Sequence, residues 1–138
     1  MIVLDTNVVS EPLRPRPDPR VIHWLSALSD DVALTAVGVG ELLLGVELLP
    51  AGRRRELLAH DVASTLSGYA EQVLAYDEPA AHIYAELQAR SRRDGRALTT
   101  EDGMIAAICV RWGATLATRN VKDFEGLGLS ATNPWNSD

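Results

Sequence analysis

The sequence predicts a three-layer α/β/α sandwich around a short parallel sheet. Three observations predict it. The chain opens on Ile2-Val3-Leu4, an apolar run without alternation, the pattern of a strand covered on both faces. Comparable short runs recur at Val32-Ala33-Leu34, Val73-Leu74-Ala75 and Thr115-Leu116-Ala117. Helical periodicity separates each run from the next, and strands alternating with helices imply parallel pairing. The 138 residues suit a single domain spanning positions 1–138.

The elements follow in order. Beyond the first strand, Asn7 to about Leu13 can form one or two helical turns. Pro12, Pro15, Pro17 and Pro19 then impose a stiff Arg/Pro loop. Asp18-Pro19 restarts a helix as cap and first helical residue, and Val21, Ile22, Trp24, Leu25 and Leu28 give it an apolar face. After the second strand, Thr35 or Ala36 leads into a helix through Val37, Leu42, Leu43, Leu44, Val46, Leu48 and Leu49, ended by Pro50 and Gly52. This helix is apolar almost all round, so it is expected to be largely buried. Gly38, Gly40 and Gly45 each cost it about 1 kcal/mol against Ala, which points to close packing.

A further helix runs from about Arg53 to Leu66. Asp77 and Pro79 open another, with Ala81, Ile83, Tyr84, Leu87 and Ala89 available for packing, and Asp94-Gly95 stops it. Thr99 or Thr100 caps the next, which carries Met104, Ile105, Ile108, Cys109 and Trp112 and ends at Gly113. Residues Asn120 to Gly128 are rich in turn formers, and Leu129-Ser130-Ala131 is the expected last strand.

Composition narrows the function. A formal net charge of −6 argues against coating nucleic acid by bulk charge. The base is mostly Arg and clumped, at Arg14, Arg16 and Arg20, at Arg53 to Arg55, and from Arg90 to Arg96. Such clumps are ordinarily solvated helix faces, although Arg suits bidentate phosphate contacts. The single cysteine, Cys109, allows no internal disulfide and no thiol metal cage, and its apolar neighbours make it a core residue. His23, His60 and His82 are scattered and read as packing or surface residues; Trp24, Trp112 and Trp135 read as core and terminal anchors. No charged leader and no apolar run near the roughly 18 residues needed to span a bilayer is visible, so a soluble, cytoplasmic protein is expected.

Chemistry concentrates in acids. Asp5 ends the first strand, where α/β sheets hold their ligands. Glu41 interrupts the most apolar helix, on the face of Val37, Leu44 and Leu48, with no Lys or Arg between Val32 and Pro50. A buried unpaired carboxylate costs several kcal/mol or protonates. Glu47 reads as solvent-facing. Asp102 occupies a helix first turn, in line with Ile105 and Cys109, whereas Glu101 fits an ordinary dipole-stabilising acid. Asp123 follows the fourth strand in the loop Thr118-Arg119-Asn120-Val121-Lys122-Asp123-Phe124. In a parallel sheet these positions converge on one edge, and clustered carboxylates stay ionised together only around a cation. Oxygen ligands without His or Cys indicate Mg²⁺ or Mn²⁺, which suits hydrolysis of a phosphodiester by activated water.

The stretches Val3-Leu4-Asp5-Thr6-Asn7, Glu41, Asp102-Gly103-Met104-Ile105-Ala106-Ala107 and Ala117 to Phe124, in that order, resemble the PIN-domain family. The likeness is greatest to its VapC and FitB toxins of type II toxin–antitoxin pairs, whose ending Asn133-Pro134-Trp135 resembles. The resemblance implies a Mg²⁺-dependent endoribonuclease with Asp5, Glu41 and Asp102 as catalytic metal ligands. It leaves the fourth position to Asp123 or to Asn120. It further implies Thr6, Asn7 and Thr118 as orienting residues, a homodimer, and a cognate antitoxin that presses a peptide into the acidic pocket. A heterotetramer or larger assembly with that antitoxin, and promoter DNA contacted only through it, belong to the same expectation. Arg119 and Lys122 are the expected RNA contacts. Two alternatives remain at this point: a non-catalytic binding module of the same fold, and a phosphatase of the haloacid-dehalogenase type using Asp5. The latter expects an acid where Asn7 stands.

Overall fold

The computed structural model describes residues 1–136. They form a parallel sheet of five strands in the order β3-β2-β1-β4-β5, with β1 Ile2–Leu4, β2 Val32–Thr35, β3 Val73–Leu74, β4 Thr115–Ala117 and β5 Ala131–Thr132. The last strand pairs Leu116 with Ala131 and Ala117 with Thr132, so it lies later in the chain than Leu129-Ser130-Ala131 would place it. The helices are α1 Thr6–Ser10, α2 Pro19–Ser26, α3 Ala36–Glu47, α4 Arg53–Ser67, α5 Glu78–Arg93 and α6 Thr100–Trp112.

Alternate strand residues face two cores, which makes the three layers. Val3, Ala33 and Leu116 pack with Leu87, Ile105, Ala106, Cys109, Phe124 and Leu127 beneath α5 and α6. Leu4, Leu34 and Ala117 pack with Val8, Val9, Val21, Leu42, Val46, Val62 and Trp135 on the other side. Cys109 is fully buried, and burial first, then the charge of Asp5, pushes its thiol up to about 12. Among the described residues no helix is long and apolar enough to cross a membrane.

The chain grows from β1 toward β3 on one side and continues through β4 and β5 on the other. The direction therefore switches between β1 and β4, and open α/β sheets bind ligands in the crevice beyond the strand ends at such a point.

Three expectations need correction. Helix α3 is not largely buried: Leu43, Leu44 and Leu48 are exposed, Leu44 at 56% and Leu48 at 74%. Its sequence is apolar all round, but α4, α1, α6 and β2, the main elements packed against it, leave Leu43, Leu44 and Leu48 outward. Gly40 and Gly45 have open space where a Cβ would stand, so close packing does not explain them; at Gly38 a Cβ would come 3.3 Å from Thr35 Oγ1 and 3.6 Å from Thr6 Oγ1. Trp112 is not a core anchor but 48% exposed, with the Arg111 guanidinium 4.8 Å from its ring centroid. Trp135 is buried, as expected.

The close approach of α5 to α6 depends on Gly103. A Cβ there would stand 2.9 Å from Tyr84 Cε1 and 3.0 Å from Gln88 Nε2. The buried Gln88 amide donates to the carbonyls of Leu98 and Thr99, at 3.1 and 3.2 Å, and so fixes the start of α6. Gly103→Ala is expected to lower the unfolding free energy by about 1–3 kcal/mol, the usual cost of overpacking, read from chemical denaturation. An unchanged midpoint would show that Tyr84 and Gln88 yield freely.

Candidate active site

Asp5 is the first residue past β1, and its backbone N–H donates to Ala117 O at 2.9 Å, continuing the β1–β4 ladder. Its extended backbone makes it the N-cap of α1, with Oδ1 accepting from Thr6 N at 2.9 Å. Oδ2 accepts the Thr118 hydroxyl at 2.8 Å, and Thr118 Oγ1 in turn accepts from Asn120 N at 3.1 Å. Thr118 is fully buried and Asp5 is 7% exposed, so the carboxylate is held in one orientation from two sides of the sheet's switch point. The cap means that α1 starts at Thr6 and that the carboxylate is part of the local fold.

Glu41 comes from the middle of α3, and its Oε1 accepts the Thr6 hydroxyl at 3.1 Å. Its face is therefore neither sealed nor without a partner, because Leu44 and Leu48 beside it are exposed. Asp102 sits in the first turn of α6, where Thr99 caps the helix by accepting from Asp102 N at 3.1 Å.

The three acids sense one another. Partial burial first, then the charges of Asp5, Asp102 and Glu101, raise Glu41 above the ordinary value of 4.5, against the lowering effect of Thr6. Partial burial first, then Asp5, Asp123 and Glu101, raise Asp102 above 3.8, against the lowering effect of Thr99. Asp123 lies exposed in the 3₁₀ turn Val121–Phe124 and enters this field through Asp102. Glu101 acts on both Glu41 and Asp102, a part that the sequence did not suggest, since a first-turn acid has an ordinary helix-dipole explanation.

Among the described residues no three His, Cys, Asp or Glu side chains stand close enough to ligate one ion directly. That spacing fits hydrated Mg²⁺, which keeps several waters and takes one or two carboxylates. The donor set is all oxygen, which excludes the soft metals and suits Mg²⁺ or Mn²⁺.

Supporting residues surround the acids. Asn7 Oδ1 accepts from Arg119 N at 3.3 Å and so holds the β4 loop; its side chain is a carboxamide, which cannot serve as a general acid for a reaction at Asp5. The turn carrying Asp123 is pinned from outside: Arg90 donates to Gly126 O at 3.3 Å and Arg96 donates to Glu125 O. These two arginines belong to a clump that read as a solvated face, and only tertiary contact shows their role. In the Pro/Arg loop, Arg14 pairs with the fully buried Glu11 at 2.8 Å, and Arg20 holds the half-buried Asp18 at about 2.

Two clefts flank the acids. One, of about 790 Å³, is lined by Arg119 to Asp123, Glu125, Ala131 to Asn133 and Asn136. The other, of about 640 Å³, runs between Thr6 to Pro15, α3 and α4; Leu13, Leu42, Val46, Leu57, Leu58 and Val62 line it, and it opens onto Thr6 and Glu41.

A family model described as PIN domain matches residues 2–127. The toxin FitB of Neisseria gonorrhoeae is 42% identical over 137 residues, covering 98% of this chain and 99% of that protein. The VapC ribonuclease Y4jK of Sinorhizobium fredii is 39% identical over 137 residues, covering 98% of each. The solved structure of FitAB bound to an IR36 DNA fragment contains a chain that matches with a TM-score of 0.93 and 41% identity, covering 100% of this chain and 98% of that one.

Proposed function

The chain belongs to the PIN-domain family, and from that premise we propose that it is a Mg²⁺-dependent endoribonuclease, the toxin of a type II toxin–antitoxin pair. The observation that carries the reading is the electrostatically coupled set of Asp5, Glu41 and Asp102 at the sheet's switch point. A binding module that only kept the fold would gain nothing from three acids that repel one another.

One or two of Asp5, Glu41 and Asp102 would hold the hydrated cation directly and the others through its waters, with Asp123 or Asn120 completing the set from the β4 loop. Mg²⁺ supplies charge against the phosphodiester and acidity to a water when bound, and Mn²⁺ suits the same oxygens. Thr118 fixes the orientation of Asp5 and Thr6 that of Glu41 by hydroxyl donation. Asn7 ties the loop that carries Arg119 and Lys122, the cations set to hold the RNA backbone. Neither Ser nor Cys is asked to act as nucleophile: the only thiol is buried and held protonated. RNA incubated with the purified chain should be cut with Mg²⁺, spared with EDTA, and spared by Asp102→Asn in either buffer. Cutting that ignores both the chelator and the substitution would refute the proposal.

The partner is an antitoxin, by analogy with FitAB and VapC relatives. The apolar cleft between α1, α3 and α4 suits an amphipathic helix, and its opening at Glu41 suits a basic residue reaching the acids. Leu57 is 53% exposed in the free chain. Leu57→Asp is expected to preserve RNA cleavage and abolish inhibition by the antitoxin, checked by adding antitoxin to the cleavage reaction. The outward Leu43, Leu44 and Leu48 of α3 are an apolar surface suited to burial in a homodimer or a larger assembly with antitoxin. Promoter DNA would be reached through the antitoxin, and the site of action would be the cytoplasm.

A further inference from the structure

We infer that the cleft beyond β4 and β5 receives a nucleotide flanking the scissile phosphate, with the guanidinium of Arg119 as its platform. The inference rests on the ribonuclease reading and deepens it.

Arg119 is exposed, yet it is tethered in three ways. Its backbone N–H donates to Asn7 Oδ1 at 3.3 Å, and its carbonyl accepts from Asn133 Nδ2 at 3.4 Å. Its guanidinium lies 5.0 Å from the centroid of the Trp135 ring. Trp135 is buried in the core shared with α2, whose packing holds the ring in place, and its backbone N–H donates to Asn133 Oδ1 at 2.9 Å. A free surface arginine carries rotamer entropy that binding normally has to overcome. Here much of that freedom is removed before any substrate arrives. Asn7 lies two residues from Asp5, so the same tether ties Arg119 to the catalytic edge.

The chemistry of the cleft selects its occupant. A guanidinium plane stacks on nucleobases and its N–H groups bind phosphate. Lys122 adds charge, and the amides of Asn120 and Asn136 can meet base edges. Asp123 and Glu125 share the wall, Glu125 drawn toward Arg96 at 4.0 Å. Among the described residues the apolar side chains at the cleft are Val121 and Ala131, in contrast to the Leu-rich cleft on the other side of the acids. An amphipathic peptide helix has little to bury here; an unpaired nucleotide has a stacking plane, cations and amides.

The test uses full-length Asp5→Asn protein, unable to cut, in metal-free buffer, titrated with a fluorescein-labelled single-stranded RNA oligonucleotide of mixed sequence. Fluorescence anisotropy is expected to show affinity about tenfold weaker for Arg119→Ala and about threefold weaker for Arg119→Lys, which keeps the charge and loses the plane. Arg92→Ala, on the exposed end of α5, is the control and should bind as the parent does. In the otherwise wild-type enzyme with Mg²⁺, Arg119→Lys should raise KM more than it lowers kcat. The inference is overturned if Arg119→Ala binds as tightly as the parent, if Lys restores full affinity, or if Arg92→Ala loses as much. Wild type that fails to cut RNA in Mg²⁺ defeats the ribonuclease reading itself. Wild type that cuts, with Arg119 variants that bind and cut equally well, defeats only the cleft assignment.

Discussion

Asp5→Asn is expected to lower RNA cleavage by about a thousandfold while leaving the chain folded, which corresponds to about 4 kcal/mol of lost transition-state stabilisation. The loss follows from charge. The substitution removes the negative charge of the most buried acid of the set, the one whose field reaches both Glu41 and Asp102. The fold survives because an Asn side chain at an N-cap still offers an oxygen to Thr6 N, as capping preferences allow. The new amide then stands where Oδ2 was, and the Thr118 hydroxyl oxygen can accept from it in place of donating. Circular dichroism and a melting curve close to wild type, together with the collapse of cleavage, would assign the loss to chemistry. Unaltered cleavage would remove Asp5 from the mechanism and with it the proposed site.

The second large effect joins metal and pH. Chelation is expected to abolish cleavage, and Mg²⁺ to raise the melting temperature by an amount that grows with pH. Glu41 and Asp102 are raised in the folded chain above the 4.5 and 3.8 of exposed carboxyls. Between those ordinary values and the raised ones, the metal-free folded chain binds more protons than the unfolded chain. Its stability therefore falls as pH rises through that window. Mg²⁺ binds the deprotonated acids, so its stabilisation appears over the same window in the opposite sense. Asp18 and Asp77, both lowered from 3.8, act below the window and do not mask it. Asp102→Asn removes one of the repelling charges and is expected to melt higher than wild type in EDTA while losing the Mg²⁺ shift. Scanning calorimetry with and without Mg²⁺ reads both. A metal-free melting temperature that climbs through the window would contradict the coupling of the acids.

Local chemistry made much of this legible in the chain itself. The unbroken apolar run ending at Asp5, the Asp18-Pro19 start of α2 and the Thr99 cap that puts Asp102 in a first turn all rest on contacts within a few residues. The order of strands and helices fixed which acids would meet, because parallel strands bring their ends to one edge.

Tertiary structure decided the rest. Periodicity tells which side chains share a face, but how far that face is covered depends on neighbours distant in sequence. Helix α3 reads as buried and carries exposed Leu44 and Leu48, whereas Glu11, an acid that nothing in the sequence marks as internal, is fully buried and paired with Arg14. Arg90 and Arg96 read as a solvated clump, yet they hold the turn of Asp123 across 36 and 29 residues. The tether from Asn7 through Arg119 and Asn133 to Trp135 spans almost the whole chain. Sequence determined the first four strands and the helix caps, since these depend on short-range backbone sterics and hydrogen bonds. Folding decided burial, the orientation of each acid and the partners of each arginine, since these depend on which surfaces the closed sheet and its helices bring into contact.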